Sequence, residues 1–234
     1  MSFKGQTVMV TGAAGHLGQA VAAAFAARGA RLVLLARQVN ELQVVFGEEG
    51  PERLYLATDL LDAQQVAAAL AHALTRFGRI DVLCNLAGGF RMGQAVHETL
   101  GSTWVFLLDI NARTLMTTAR CVVPHMLARG GGKIVNVGAF AAQKGAAAMG
   151  AYCAAKSSVI RLTESMAAEL REKNINVNCV LPTIIDTPEN RAAMPGADPA
   201  RWLAAQDLAN VIVYLASPAA RAIHGAAVPV TGLS

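Results

Sequence analysis

Much that would mark other classes of protein is missing from these 234 residues. No uninterrupted apolar run reaches the ~18 residues that a membrane-spanning helix needs, so no membrane partner is expected. Charged residues make up 15% of the chain against 54% hydrophobic, a core-rich balance that excludes disorder over most of the length. No Lys/Arg-rich tract accompanies the net charge of +4. Nucleic acid is therefore not an expected partner, and an anionic small molecule is the simpler reason for the positive balance. The four cysteines, Cys84, Cys121, Cys153 and Cys179, lie far apart, with no CxxC and no paired histidines. That spacing points to reduced, mostly buried thiols rather than a metal site or a disulfide framework. No linker-like stretch and no internal repeat divides the chain, so a single domain over 1–234 is expected. Met1 to Gly5 lead straight into a strand without a signal-peptide pattern, which sets the expectation of a cytoplasmic protein.

What the sequence does contain is a regular alternation. Short runs rich in Val, Ile and Leu at 7–10, 31–35, 53–57, 80–86, 133–137, 175–181 and 227–230 read as strands. Longer runs at 17–28, 63–77, 102–129, 151–173 and 200–216 read as helices. Strands apolar on both faces suit a parallel sheet covered by helices. The expected fold is α/β, a Rossmann-type doubly wound parallel sheet of about seven strands with helices on both faces. The only long irregular segment, about 182–200, falls near the sheet's carboxyl edge, where such a loop covers a substrate.

Gly12, Gly15 and Gly18 fall where the first strand turns into the first helix. With His16 and Leu17 they form a turn whose free N–H groups and positive helix end suit a diphosphate. Glycine permits the tight turn and a close approach of backbone to ligand. At the end of the second strand, an acidic side chain would grip a ribose diol and an arginine would accept a 2′-phosphate. Ala36 supplies no acid and Arg37 supplies a guanidinium, so NADP (as NADPH) is favoured and NAD stays possible. Asp59, with Leu60 beside it, can face the adenine amino group, or Asp59 can simply cap the next helix.

Tyr152 and Lys156 are four apart on an expected helix and so share a face. A phenol titrates near ~10 in water, too high for ready proton exchange at neutral pH. A neighbouring ammonium, or the cationic ring of an oxidised nicotinamide, would lower that value.

In order along the chain, the Gly-rich turn, Asn85-Leu86-Ala87-Gly88, Asn111 in Asp109-Ile110-Asn111, the Tyr152/Lys156 pair and Pro182 with Thr187 resemble the short-chain dehydrogenase/reductase family. The resemblance spans nearly the whole length and implies an NAD(P)H-dependent oxidoreductase with a small-molecule substrate. It implies Tyr152 as the acid/base, Lys156 as its tuner and ribose anchor, and Asn111 as the holder of a water in a proton relay. It places the segment from Asn85 through Ala87 to Gly88 along the adenosine half, and Pro182, Ile185 and Thr187 at the nicotinamide end. On the residues alone, Asn111 can instead be a buried amide pinning its helix to the fourth strand, and Asn85 a strand-end cap. A homo-oligomer, dimer or tetramer, packed through 102–129 and 151–173 is also implied.

Two departures from the family pattern stand out. The glycine usual at position 16 has moved to Gly15, leaving His16 in its place. The family's serine should stand thirteen residues before Tyr152, where the chain has Ala139, preceded by Gly138. Losing one oxyanion donor typically costs ~2.7–4 kcal/mol of barrier. Either another donor replaces it, with Gln143 and backbone N–H groups as candidates, or the substrate needs little such help, as a quinonoid or imine acceptor would. The second option is similar to the dihydropteridine reductase branch of the family, which 181–202 and Ala87-Gly88-Gly89-Phe90 also resemble. Two other functions stay open: a catalytically degenerate NAD(P)-binding sensor, and an ordinary carbonyl or alcohol dehydrogenase with a substitute oxyanion donor.

Overall fold

Seven short apolar runs join one parallel sheet, whose inner strands are buried on both faces beneath helices while the edge strands 53–57 and 227–230 are only partly covered. The computed structural model describes residues 1–234. Its strands are β1 (Thr7–Thr11), β2 (Arg31–Ala36), β3 (Arg53–Ala57), β4 (Val82–Asn85), β5 (Gly132–Val137), β6 (Ile175–Pro182) and β7 (Ala227–Val230). They lie in the order β3-β2-β1-β4-β5-β6-β7, every pair parallel. The helices are α1 (His16–Ala26), α2 (Val39–Phe46), α3 (Ala63–Phe77), α4 (Gly101–Leu108), α5 (Thr114–Arg129), α6 (Gly150–Leu170), α7 (Pro188–Ala193) and α8 (Ala205–Ala216). This is the expected doubly wound Rossmann-type sheet.

Alternation along β1 shows how both layers form. Val8 and Val10 pack with Val21 and Phe25 of α1 and Ile212 of α8, whereas Met9 packs with Val66 of α3 and Val122 of α5. The winding reverses between β1 and β4, which opens a crevice at the carboxyl ends of the strands.

Four local features differ from the pattern-based expectation. α2 was not foreseen, since it buries only Leu42 and so carries little periodic signal. The run 102–129 is not one helix: a π-helical turn, Asp109–Arg113, separates α4 from α5. There Asn111 donates to the carbonyls of Leu107 and Gly89, at 3.0 and 2.9 Å, and holds the helix open toward the loop after β4. Within 182–200, Thr187 accepts the Asn190 N–H at 3.2 Å and Pro188 fills the first helical position, so α7 forms there. The last long helix starts at Ala205 rather than at 200.

The glycines of the first turn are not equivalent. A Cβ on Gly18 would lie 2.4 Å from the Gly12 carbonyl oxygen and 2.6 Å from that of Ala13, both rigid backbone. Gly12 has φ +63 and would press a Cβ to 3.0 Å from Ala87 Cα. Gly15 meets nothing nearer than 3.5 Å, so packing does not require it. Gly18→Ala should cost about 1–3 kcal/mol and several degrees of melting temperature. Gly15→Ala should leave thermal unfolding unchanged within about 1 °C while weakening nucleotide binding. Equal melting losses in the two variants would contradict this division of labour.

Candidate active site

A cavity of about 950 Å³ opens at the crevice, lined by the turn Gly12 to Gly18, the ends of β2 and β3, and the loop after β4. Gly15 is the N-cap of α1 and supplies no side-chain cap, and the first turn has no acidic residue. The N–H groups of that turn are therefore free for an anion, and the missing Cβ of Gly15 leaves them open. Arg37 and Asp59 line the far end. Thr58, which sequence patterning missed, lines the same end, and its Oγ1 is buried without a hydrogen-bond partner. Asp59 accepts the Leu61 N–H at 2.9 Å, and Asp62, not Asp59, caps α3. Leu60, Ala87 and Gly88 also line the cavity, and its chemistry fits a dinucleotide.

Asn85 requires a correction. Its side chain turns inward, donating to Asn136 at 2.9 Å and accepting from Thr118 at 2.8 Å, and lines neither cavity. Thr11 instead shapes the adjoining loop, its hydroxyl accepting the N–H groups of Leu86 and Ala87 at 3.0 and 3.1 Å.

A second cavity, about 700 Å³, adjoins the first and shares Leu17, Gly88, Ile185 and Thr187 with it. Tyr152, Lys156, Gly138, Ala139 and Pro182 line it, with Phe90, Phe140 and Met194 around them. Lys156 is buried and donates through Nζ to the Val137 carbonyl at 2.9 Å. Burial lowers its pKa to about 8, against a smaller opposing effect of Cys179. Tyr152 departs from the expected lowering: burial pushes its phenol up to about 12. The Lys156 ammonium is engaged at Val137, and Phe90 packs edge-on against the Tyr152 ring at 4.8 Å. A further cation, or a hydrogen-bond donor to the phenolate oxygen, would bring that value down.

Asn111 lies near this pair, because a Cβ on Gly88 would fall 2.8 Å from Asn111 Oδ1 and 3.1 Å from Lys156 Nζ. Its carboxamide is exchanged with the Gly89 backbone, accepting the N–H at 3.1 Å and donating to the carbonyl at 2.9 Å. The side chain thus pins the loop to the π turn. At Gly138 a Cβ would press on the ends of the Leu181 and Cys179 side chains, at 2.7 Å from Cδ2 and 3.0 Å from Sγ, and these would have to shift to admit it. Both positions line the cavity, and neither Gly138 nor Ala139 carries a hydroxyl. Gln143 is not the substitute donor: it is exposed, donates to the Phe140 carbonyl at 3.4 Å and lies outside the lining. His16 pairs with Glu189 at 3.3 Å and so joins the Gly-rich turn to α7.

Comparison with known proteins agrees with this geometry. A family profile described as short chain dehydrogenase matches residues 6–197. The chain is 33% identical to cis-4-hydroxycyclohexanecarboxylate dehydrogenase of Sinomonas cyclohexanicum, covering 99% of this chain and 97% of that one. It is 32% identical to D-threitol dehydrogenase of Mycolicibacterium smegmatis, over 97% and 92% of the two chains. Among solved structures, 3-ketoacyl-(acyl-carrier-protein) reductase from Brucella melitensis, complexed with NADH, superposes with a TM-score of 0.88 at 29% identity, covering 99% and 98%.

The buried lysine makes stability depend on pH. Its folded pKa of about 8 lies below the ordinary 10.5. Between these values the unfolded chain holds a proton that the folded chain has shed, so this group's contribution rises with pH across that window. Lys156→Met should abolish a gain on the order of 2 kcal/mol between pH 8 and 10, read from urea unfolding of both proteins. Parallel profiles would show that no buried ammonium is being relieved.

Proposed function

The chain belongs to the short-chain dehydrogenase family and is an NAD(P)-dependent oxidoreductase, and from that premise we propose that it reduces a small conjugated, quinonoid ring compound with NADPH. Tyr152 is the proton donor in this reading. The observation that carries it is Ala139: position 139, where the family pattern has a hydroxyl, brings none to the cavity beside Tyr152, and Gln143 lies outside the lining. A carbonyl or imine conjugated to a ring spreads the incoming charge and needs that donor least. Relatives named for alcohols and ketoacyl groups support carbonyl and alcohol chemistry in general. The narrower pteridine-like reading rests on the segment 181–202 and on the missing hydroxyl.

When bound, a nicotinamide cofactor would supply the hydride. The N–H groups of His16 to Gly18 would hold its diphosphate, Arg37 would hold a ribose 2′-phosphate, and Thr58 and Asp59 would lie at the adenine end. At neutral pH the phenol of Tyr152 stays protonated, since burial raises its pKa to about 12, which is the state a proton donor needs. Lys156 spends one N–H on Val137 and keeps two for ribose hydroxyls. Asn111 keeps the Gly88-Gly89 backbone against the site. Association into dimers or tetramers belongs to the same reading, because Trp104, Val105 and Met116 leave 43%, 50% and 55% of their surface exposed on α4 and α5.

The test is NADPH oxidation with quinonoid dihydropterin, quinones and unconjugated ketones. Wild type should favour the conjugated acceptors, and Tyr152→Phe should lower their turnover by about 10²–10⁴-fold. Ala139→Ser should raise ketone reduction about 10-fold or more and change quinone reduction little. Arg37→Ala should reduce the preference for NADPH over NADH about 10-fold. Undiminished turnover by Tyr152→Phe removes the phenol from the chemistry, and a wild type that prefers ketones removes the quinonoid assignment.

A further inference from the structure

Beside the cavity over Tyr152 lies a smaller one of about 370 Å³, and Met92 and Met149 stand in the wall between them. The linings differ in kind. The larger is mostly apolar, whereas the smaller gathers Arg91, Gln94 and Thr103. No Asp or Glu lines either. The Arg91 guanidinium lies 3.7 Å over the Phe106 ring, and no carboxylate of the chain pairs with it. Stacked in this way, a guanidinium keeps its N–H donors at its edge, free to grip an anion in a fixed plane. The dividing wall is held in place as well. Gly93 donates to the Ala148 carbonyl at 2.9 Å, and Ala148 keeps φ +58, a left-handed conformation that alanine adopts only under constraint.

We propose that the ring substrate carries a carboxylate, bound in this smaller cavity by Arg91 with Gln94 and Thr103, while the ring lies against Tyr152. This inference rests on the reduction proposed above and names the second end of its substrate. One cation with two neutral donors matches one delocalised negative charge. Met149, Gly150 and Ala151 bring the uncapped N-terminus of α6 into the lining, and its free N–H groups add to Arg91 in favouring an anion; with Arg91 as the one cationic side chain there, a singly charged carboxylate matches better than a phosphate dianion. The passage past Met92 and Met149 suits a chain of a few carbons between the ring and the carboxylate, since methionine adapts to irregular apolar shapes.

The probes are a 1,4-naphthoquinone bearing a propionate side chain and its methyl ester, tested with NADPH on wild type and Arg91→Gln, which keeps much of the stem. Wild type should prefer the acid by about 10-fold in kcat/KM, chiefly through KM, and Arg91→Gln should bring the acid-to-ester ratio close to 1. Calorimetric binding of the acid to the NADP+-loaded protein is measured beside turnover. Acid and ester treated alike by wild type, or an acid preference that survives Arg91→Gln, overturns the inference. If neither quinone is reduced, Arg91-dependent binding of the acid upholds the subsite and sinks the proposed reduction, whereas binding indifferent to Arg91 sinks the subsite too.

Discussion

The Lys156 ammonium, buried and donating to the Val137 carbonyl at 2.9 Å, is the contact on which the site depends. It ties α6 to the end of β5 and so sets Tyr152, one helical turn earlier, beside Gly138 and Ala139. Gly88 is constrained by the same group, since any Cβ there would crowd both Lys156 Nζ and Asn111 Oδ1. A buried charge costs several kcal/mol unless its donors are satisfied, and one carbonyl satisfies only a third of an ammonium. Lys156 lines the cavity over Tyr152 near Gly88, which both cavities share, and ligand hydroxyls there can complete the set.

The electrostatics of the two cavities differ in a way that suits their separate tasks. The nucleotide cavity mixes Arg37 with Asp59 and Glu189 around an uncapped helix end. The cavity over Tyr152 has Lys156 as its one charged lining residue, within mostly apolar walls. In such surroundings a phenol resists ionisation, and any charge that develops is felt strongly because little water screens it. The phenol is thus held protonated, and a cation or hydrogen-bond donor beside it is needed before it gives up the proton readily. A site with a protonated phenol and no hydroxyl at Ala139 matches an acceptor that spreads its own charge.

Much of the fold was legible in the sequence because a parallel sheet covered on both faces leaves a strong local signature. All seven strands fall within a few residues of their expected bounds. α2 was not foreseen because it is short and buries little, and the π turn was missed because Asn111 breaks the helix through a bond to the distant Gly89. In the site, the glycine turn, Tyr152, Lys156, Arg37 and Asp59 were recognisable from residue type and spacing. Asn85 misled because a strand-end amide reads the same whether it faces a ligand or a buried Asn136. Thr58 and Arg91 left no signal: one is a lone threonine, the other an arginine whose meaning depends on Phe106 beneath it.

Periodicity, glycine placement and the four-residue step from Tyr152 to Lys156 are properties of neighbours along the chain, so the sequence by itself determined the sheet, the turn that can cradle a diphosphate and the shared face of the two side chains. Tertiary structure alone decided which polar groups are spent inside the fold, where the cavities meet and which way the phenol is pushed. Spacing brings a cation near Tyr152, but burial beneath Phe90 and the surrounding sheet outweighs it. Desolvation is set by atoms brought from distant parts of the chain, and no local pattern encodes it.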